Sequence, residues 1–260
     1  MKVLKHLPLV LAVLLATTVR AQLDVPLTDV SLAYPSLPPL TVQLGGTNRY
    51  ILPTPFVLGG SFEKSALWIC MDPLQTIFYN GSGQGPAAAL HYQSQDPGLY
   101  DKWTPAAPGL DSIRLQRLAD LFYVYAPTRN DSLIGGALAL AVPEITNEFN
   151  ANALTLSGGQ FRAWGNTTPA NAVVALAETM LARIKQADVA GKGNVKSLRF
   201  LIDGSYTNGS GTVPVQDLVG FIPVPEPSTY AIGTLALLVP LVGLRMRQRR
   251  HQASGPASAK

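Results

Sequence analysis

Two apolar runs at opposite ends of the chain, each bordered by basic residues, confine the folding problem to the stretch between them, residues 22–222. The first run lies in MKVLKHLPLVLAVLLATTVRAQ, where Lys2 and Lys5 precede Leu7 to Leu15 and small residues follow. That order is the pattern of a signal peptide over residues 1–21, with cleavage expected between Ala21 and Gln22. The second run, Tyr230 to Leu244, follows Pro225-Glu226-Pro227 and is closed by Arg245, Arg247, Arg249 and Arg250, with a polar tail over 251–260. As a helix, residues 230–244 would reach roughly 22 Å. This is short of the roughly 30 Å hydrocarbon core, so the segment reads as a short transmembrane helix and a temporary stop. Its arginines belong on the cytoplasmic side, which leaves the body outside.

The body must therefore build its core in an oxidising compartment, yet the chain has one cysteine, Cys70, in SALWICMDPLQ. Exported proteins commonly use cysteines in pairs, and a lone one allows no internal disulfide. The net charge of +4 also misleads. Between the basic ends stand twelve basic and sixteen acidic residues, a net of −4. The basic pI reflects targeting segments, and a nucleic-acid partner is excluded.

Along the body, "LTVQLGG", "YILPTPFVLGG", "ALWIC" and "QTIFY" read as short strands separated by Gly45-Gly46, Gly59-Gly60 and Asp72-Pro73. The middle turns helical. Asp111 can cap a helix that stops before Pro127. A second segment, Ser132 to Val142, must stop near Pro143. The third is best defined: Thr168 as N-cap, Pro169, then Val173, Leu176, Ala177, Met180, Leu181 and Ile184 on one stripe. "SLRFLID" resumes the strands, and Asp203 to Thr212 reads as a flexible hairpin tip. Strands, helices, then strands is an α+β plan.

Candidate chemistry is sparse. His6 and His251 fall in the end segments, so only His91 remains in the body. No G-x-S-x-G elbow offers it a nucleophile, and the loop around it suits an exposed histidine. "GSGQG" at 81–85 lacks the lysine and hydroxyl of a phosphate loop. Residues 203–212 lack calcium-loop spacing. No catalytic, metal or cofactor site is expected.

The tail, with Pro225-Glu226-Pro227-Ser228-Thr229, the short apolar run and the terminal arginines, resembles the PEP-CTERM sorting signal of Gram-negative bacteria. The resemblance implies a membrane-anchored precursor cut by an exosortase after signal peptidase has acted. Delivery to the cell surface or an exopolysaccharide matrix would follow. The body is similar to exported Cys–Gln thioester domains, which carry an aromatic or aliphatic residue, Cys, an aliphatic residue and Asp on an early strand, here Ile69-Cys70-Met71-Asp72. Their helix A-x-Q-L-A-I-W-E-I would correspond to Ala137–Ile145, and an L-x-S-G-x-F stretch to Leu156–Phe161. Where the family helix has glutamine and tryptophan, this chain has Ala139 and Pro143, and alanine offers no amide to a thiol. The resemblance therefore implies a β-sandwich-like core with inserted helices, with Cys70 and Ala139 as vestigial thioester positions. A plain core cysteine accounts for Cys70 equally well. The expected function is a non-enzymatic structural or adhesive surface protein. One alternative is an active thioester adhesin in which Gln75, Gln116 or Gln160 reaches Cys70, and another is a secreted polysaccharide hydrolase.

Overall fold

In a computed structural model residues 23–26, 30–59, 66–73, 89–94, 110–126, 130–148, 150–208 and 211–222 are described. They form a mixed α+β unit of two antiparallel sheets and three helices. The larger sheet is built on β9 (Leu198–Asn208), β11 (Leu218–Phe221), β6 (Trp68–Cys70), β5 (Phe56–Leu58) and β2 (Val30–Leu32), in that order. The far half of β9 continues into pairing with β7 (Ala89–Ser94) and β10 (Gly211–Val215), and β1 (Leu23–Pro26) adds to β7. The smaller sheet has the order β4 (Thr47–Ile51), β3 (Leu40–Leu44), β8 (Phe161–Trp164).

Turn chemistry and alternation fix the small sheet. Gly45 and Gly46 take φ of 55° and 83°, the left-handed pair that a two-residue hairpin turn needs. Leu40, Val42 and Leu44 alternate inward and stand beside Phe161 and Ala163 of β8, which are buried too.

Side-chain caps start the helices. Asp111 accepts the Arg114 N–H at 2.8 Å and opens α1 (Ser112–Val124). Thr167 caps α3 (Thr168–Arg183) by accepting the Ala170 N–H, one residue earlier than the sequence suggests, so Pro169 stays within the first turn. The stripe of α3 is inward as expected, with Val173, Ala177, Met180, Leu181 and Ile184 buried.

Two expectations fail. Helix α2 (Ser132–Asn147) runs through Pro143 rather than stopping there. A proline removes the N–H that the Ala139 carbonyl would receive. Burial outweighs that loss, for every residue from Gly135 to Asn147 is buried. Asn147 also donates a side-chain bond to the Pro143 carbonyl, at 2.8 Å. The second is the extent of the hairpin tip: the hairpin is present, but most of 203–212 lies in its strands, β9 extending to Asn208 and β10 beginning at Gly211.

Helix α2 packs against α3 and α1, against β6 of the large sheet and against β8 of the small one. One contiguous core joins Leu40, Leu44, Ile69, Met71, Leu140, Phe161, Met180, Phe200 and Val219. Met71 closes β6 on that core, and its neighbour Cys70 is held by the same strand. The "QTIFY" strand, the signal-peptide residues and everything from 223 onward lie outside the described residues.

Candidate functional site at Cys70 and Gln216

Two residues separate the end of β10 from the start of β11, and both strands pair with β9 in a single register. Val215 lies opposite Gly204, and Leu218 lies opposite Leu201. The interruption between them is Gln216-Asp217, a polar pair in an apolar strand. On its other side β11 pairs with β6, with Leu218 opposite Cys70 and Val219 opposite Ile69. Gln216, two residues before Leu218, is thereby a diagonal neighbour of Cys70, a separation that side chains bridge.

They do bridge it. The Cys70 Sγ lies 2.5 Å from the Gln216 Oε1. The thiol is the donor and the amide oxygen the acceptor, so the sulfur stands against the carbonyl end of the Gln216 amide. Gln216 is 8% exposed and Cys70 is half-buried, so the pair is shielded but not sealed.

The backbone around the pair is pinned. Met71 donates its N–H to the Asp217 carbonyl at 2.8 Å. Its own carbonyl accepts from Thr146 Oγ1 at 3.0 Å and from Asn147 Nδ2 at 2.7 Å, both at the end of α2. Tyr92 of β7 donates its hydroxyl to the Gln216 carbonyl at 3.3 Å. Asp72 and Asp217 are fully buried beside the pair. Burial pushes the Cys70 thiol well above its ordinary pKa, and the Asp72 charge adds to that, with a backbone hydrogen bond opposing. Tyr92 is likewise raised, by burial first and then by Asp217 and Cys70. At neutral pH both groups keep their protons.

The expected partner positions fall elsewhere. Ile69 and Met71 share the core with Ala139, so alternation turns Cys70 to the opposite face of β6. Ala139 is buried in α2 on the far side of the strand from that sulfur. Gln116 is engaged with Asp120 and the Gly193 carbonyl. Gln160 immediately precedes β8, its N–H donated to Glu148 and its carbonyl accepting from the Gly45 N–H. Gln75 lies outside the described residues. His91 sits half-buried on β7, opposite Ser205, not in a free loop. Ala21, Gln22, Pro225, Glu226, Pro227 and the four arginines lie outside the described residues. Among the described residues no helix is long and apolar enough to cross a membrane, and no cluster of three or more His, Cys, Asp or Glu side chains could hold a metal ion.

Sequence reasoning missed Gln216. The available signal was the polar pair itself, Gln216-Asp217, interrupting the apolar residues Val213 to Phe221.

A second polar cluster braces the loop between α2 and β8. Glu144 Oε1 accepts the Thr155 N–H at 2.7 Å, Glu178 accepts Leu156 N–H at 2.7 Å, and Glu148 accepts Gln160 N–H at 2.7 Å. Glu144 is fully buried and its Oε2 has no hydrogen-bond partner among the described residues. Burial raises its pKa to about 9, with the Thr155 bond opposing and the charges of Glu148 and Glu178 adding. It is a neutral acid at pH 7, placed to hold a loop.

Comparison with protein-family models, with curated proteins and with solved structures finds no match for this chain.

Proposed function

We propose that this is an exported surface protein whose body forms an internal thioester between Cys70 and Gln216 and uses it once, to bond covalently to a nucleophile on a surface or matrix. The observation that carries this reading is the 2.5 Å approach of the Cys70 Sγ to the Gln216 side-chain amide. In the forming step the sulfur attacks the amide carbon. An S–C bond is made, the C–N bond breaks, and the thiol proton leaves with the amide nitrogen as ammonia. No oxidant is involved. In the using step an amine or hydroxyl attacks the same carbon, the C–S bond breaks, and the thiol regains a proton. Each chain reacts once, so the protein is a ligand and not an enzyme.

The glutamine amide that Ala139 lacks is supplied in this reading by Gln216, from the other end of the body. The reading keeps a β-sandwich-like core with inserted helices as its fold; in its favour is the one core that joins both sheets, with α2 mediating the junction. Delivery rests on the sequence of 1–21 and 223–250, read as signal peptide and PEP-CTERM sorting segment. Signal peptidase and an exosortase are the expected processing partners, and exopolysaccharide or another surface matrix is the expected target.

Intact mass of the full-length protein, before and after methylamine, tests the reading. A mass one ammonia below calculated, rising by one methylamine on treatment, with the adduct mapped to Gln216, supports it. The calculated mass, with Cys70 titratable after denaturation, overturns it.

A further inference from the structure

The Gln216 carbonyl sits where the β10–β11 strand is interrupted, and a side-chain hydroxyl donates to it. The donor is Tyr92, which lies two strands away: Tyr92 pairs with Gly204, and Gly204 pairs with Val215. The intervening position, Gly204, carries no side chain. Tyr92 is 1% exposed, so its hydroxyl has little access to water as an alternative partner. Burial, Asp217 and Cys70 all hold that hydroxyl in its protonated form, so it remains a donor through the neutral and mildly alkaline range.

We infer that Tyr92 is a positioning residue for the thioester: by fixing the Gln216 peptide at the strand interruption, its hydroxyl aims the side-chain amide carbon at the Cys70 sulfur. This rests on the thioester reading of the Cys70–Gln216 pair. Met71 is tied on three sides, by Asp217, Thr146 and Asn147, so the cysteine half of the pair is set by the core. The glutamine half is tied to β6 one residue on, through the Asp217 carbonyl, and Tyr92 adds the direct restraint on the Gln216 carbonyl itself. Tyr92 touches the backbone of Gln216 and takes no part in bond making. The 3.3 Å bond is long for an O–H donor, which suits a graded effect on rate.

The test is cell-free synthesis of the full-length chain in the presence of detergent, with intact mass followed over time. Wild type is expected to lose one ammonia. Tyr92→Phe, which keeps the ring and removes the donor, is expected to do so about fivefold more slowly, the factor worth one neutral hydrogen bond. Its near-ultraviolet dichroism should match wild type, and 4-aminophenylalanine at position 92, which restores a donor, should recover the rate. A purely structural tyrosine would change the melting temperature without this rescue. Closure of Tyr92→Phe at the wild-type rate overturns the inference while leaving the thioester intact. A wild type that never loses ammonia overturns the thioester itself, and the inference with it. Should Tyr92→Phe fail to fold, 4-fluorophenylalanine fills the space of the hydroxyl without donating, and wild-type closure in that protein overturns the inference equally.

Discussion

Asn147, at the last turn of α2, donates its side-chain amide to the carbonyl of Met71 at 2.7 Å, and so ties the central helix to the residue that follows Cys70. The second hydrogen of the same amide serves the Pro143 carbonyl at 2.8 Å. A buried donor set of this kind is costly to lose, because truncation leaves the acceptors dry. Asn147→Ala should destabilise the protein by about 2 kcal/mol, read as a shift of the urea midpoint at unchanged slope. A shift within error of zero would mean that α2 does not anchor the site.

Gln216→Glu keeps the shape of the side chain and removes the leaving nitrogen. Ammonia can no longer depart, so this variant should show its calculated mass and one alkylatable cysteine. Its thiol should react with iodoacetamide only at pH above that of an ordinary cysteine, because burial and the Asp72 charge disfavour the thiolate. Adding Asp72→Asn should bring the alkylation profile down in pH. An ordinary cysteine profile in the single variant would contradict the environment described for Sγ.

Glu144 offers a pH signature of its own. Its carboxyl titrates at about 9 in the fold, against 4.5 for an unperturbed glutamate. The folded state therefore holds a proton that the unfolded chain releases. The resulting stability is fully present below about pH 4.5 and declines as pH rises to about 9. Glu144→Gln keeps an acceptor for the Thr155 N–H and has no proton to lose. It should gain on the order of 3 kcal/mol over wild type near pH 7, at about 1.4 kcal/mol per pH unit. Denaturation at a series of pH values gives the answer, and parallel curves for the two proteins would refute it.

The turn after α3 is clamped to α1 by one carboxylate. Asp120, fully buried, accepts the N–H groups of Gly191 and Gly193 at 2.9 and 2.8 Å and the Gln116 amide at 3.0 Å. Asp120→Ala should cost about 2 kcal/mol, since it removes the buried carboxylate that accepts from two backbone N–H groups and the Gln116 amide. Gly193→Ala should be at least as harmful. A Cβ there would stand 2.1 Å from the Ala119 carbonyl carbon, and backbone cannot give way as a side chain can. Thermal melts of both variants decide the matter, and a Gly193→Ala melt equal to wild type would show that α1 and this turn can separate freely.

The parts of the fold that were legible in the sequence are those written locally. Gly45-Gly46 marks its hairpin by the φ it requires, Asp111 marks the start of α1, and the stripe from Val173 to Ile184 marks the buried side of α3. Pro143 misled because its local penalty is real but is outweighed by the burial of all of α2, a tertiary quantity. Gln216 was hidden for a related reason. Its contact with Cys70 depends on a register between β6 and β11, strands that begin 150 residues apart, and no short-range pattern carries that pairing. Cys70 drew notice because it is single; its partner, one glutamine among several, did not.

The place of β11 in the sheet has a mechanical meaning. It is the last described strand, and it lies between β9 and β6, antiparallel to both. Tension on the chain beyond Phe221 enters along this strand and loads two ladders in shear together, where an edge strand would peel away bond by bond. Gln216 stands at the upstream end of that strand. A covalent link from it to Cys70 would act as a stop against sliding, holding β11 to β6 after the hydrogen bonds had yielded. Opening the link by reaction with a target would trade that internal stop for an external attachment at the same residue.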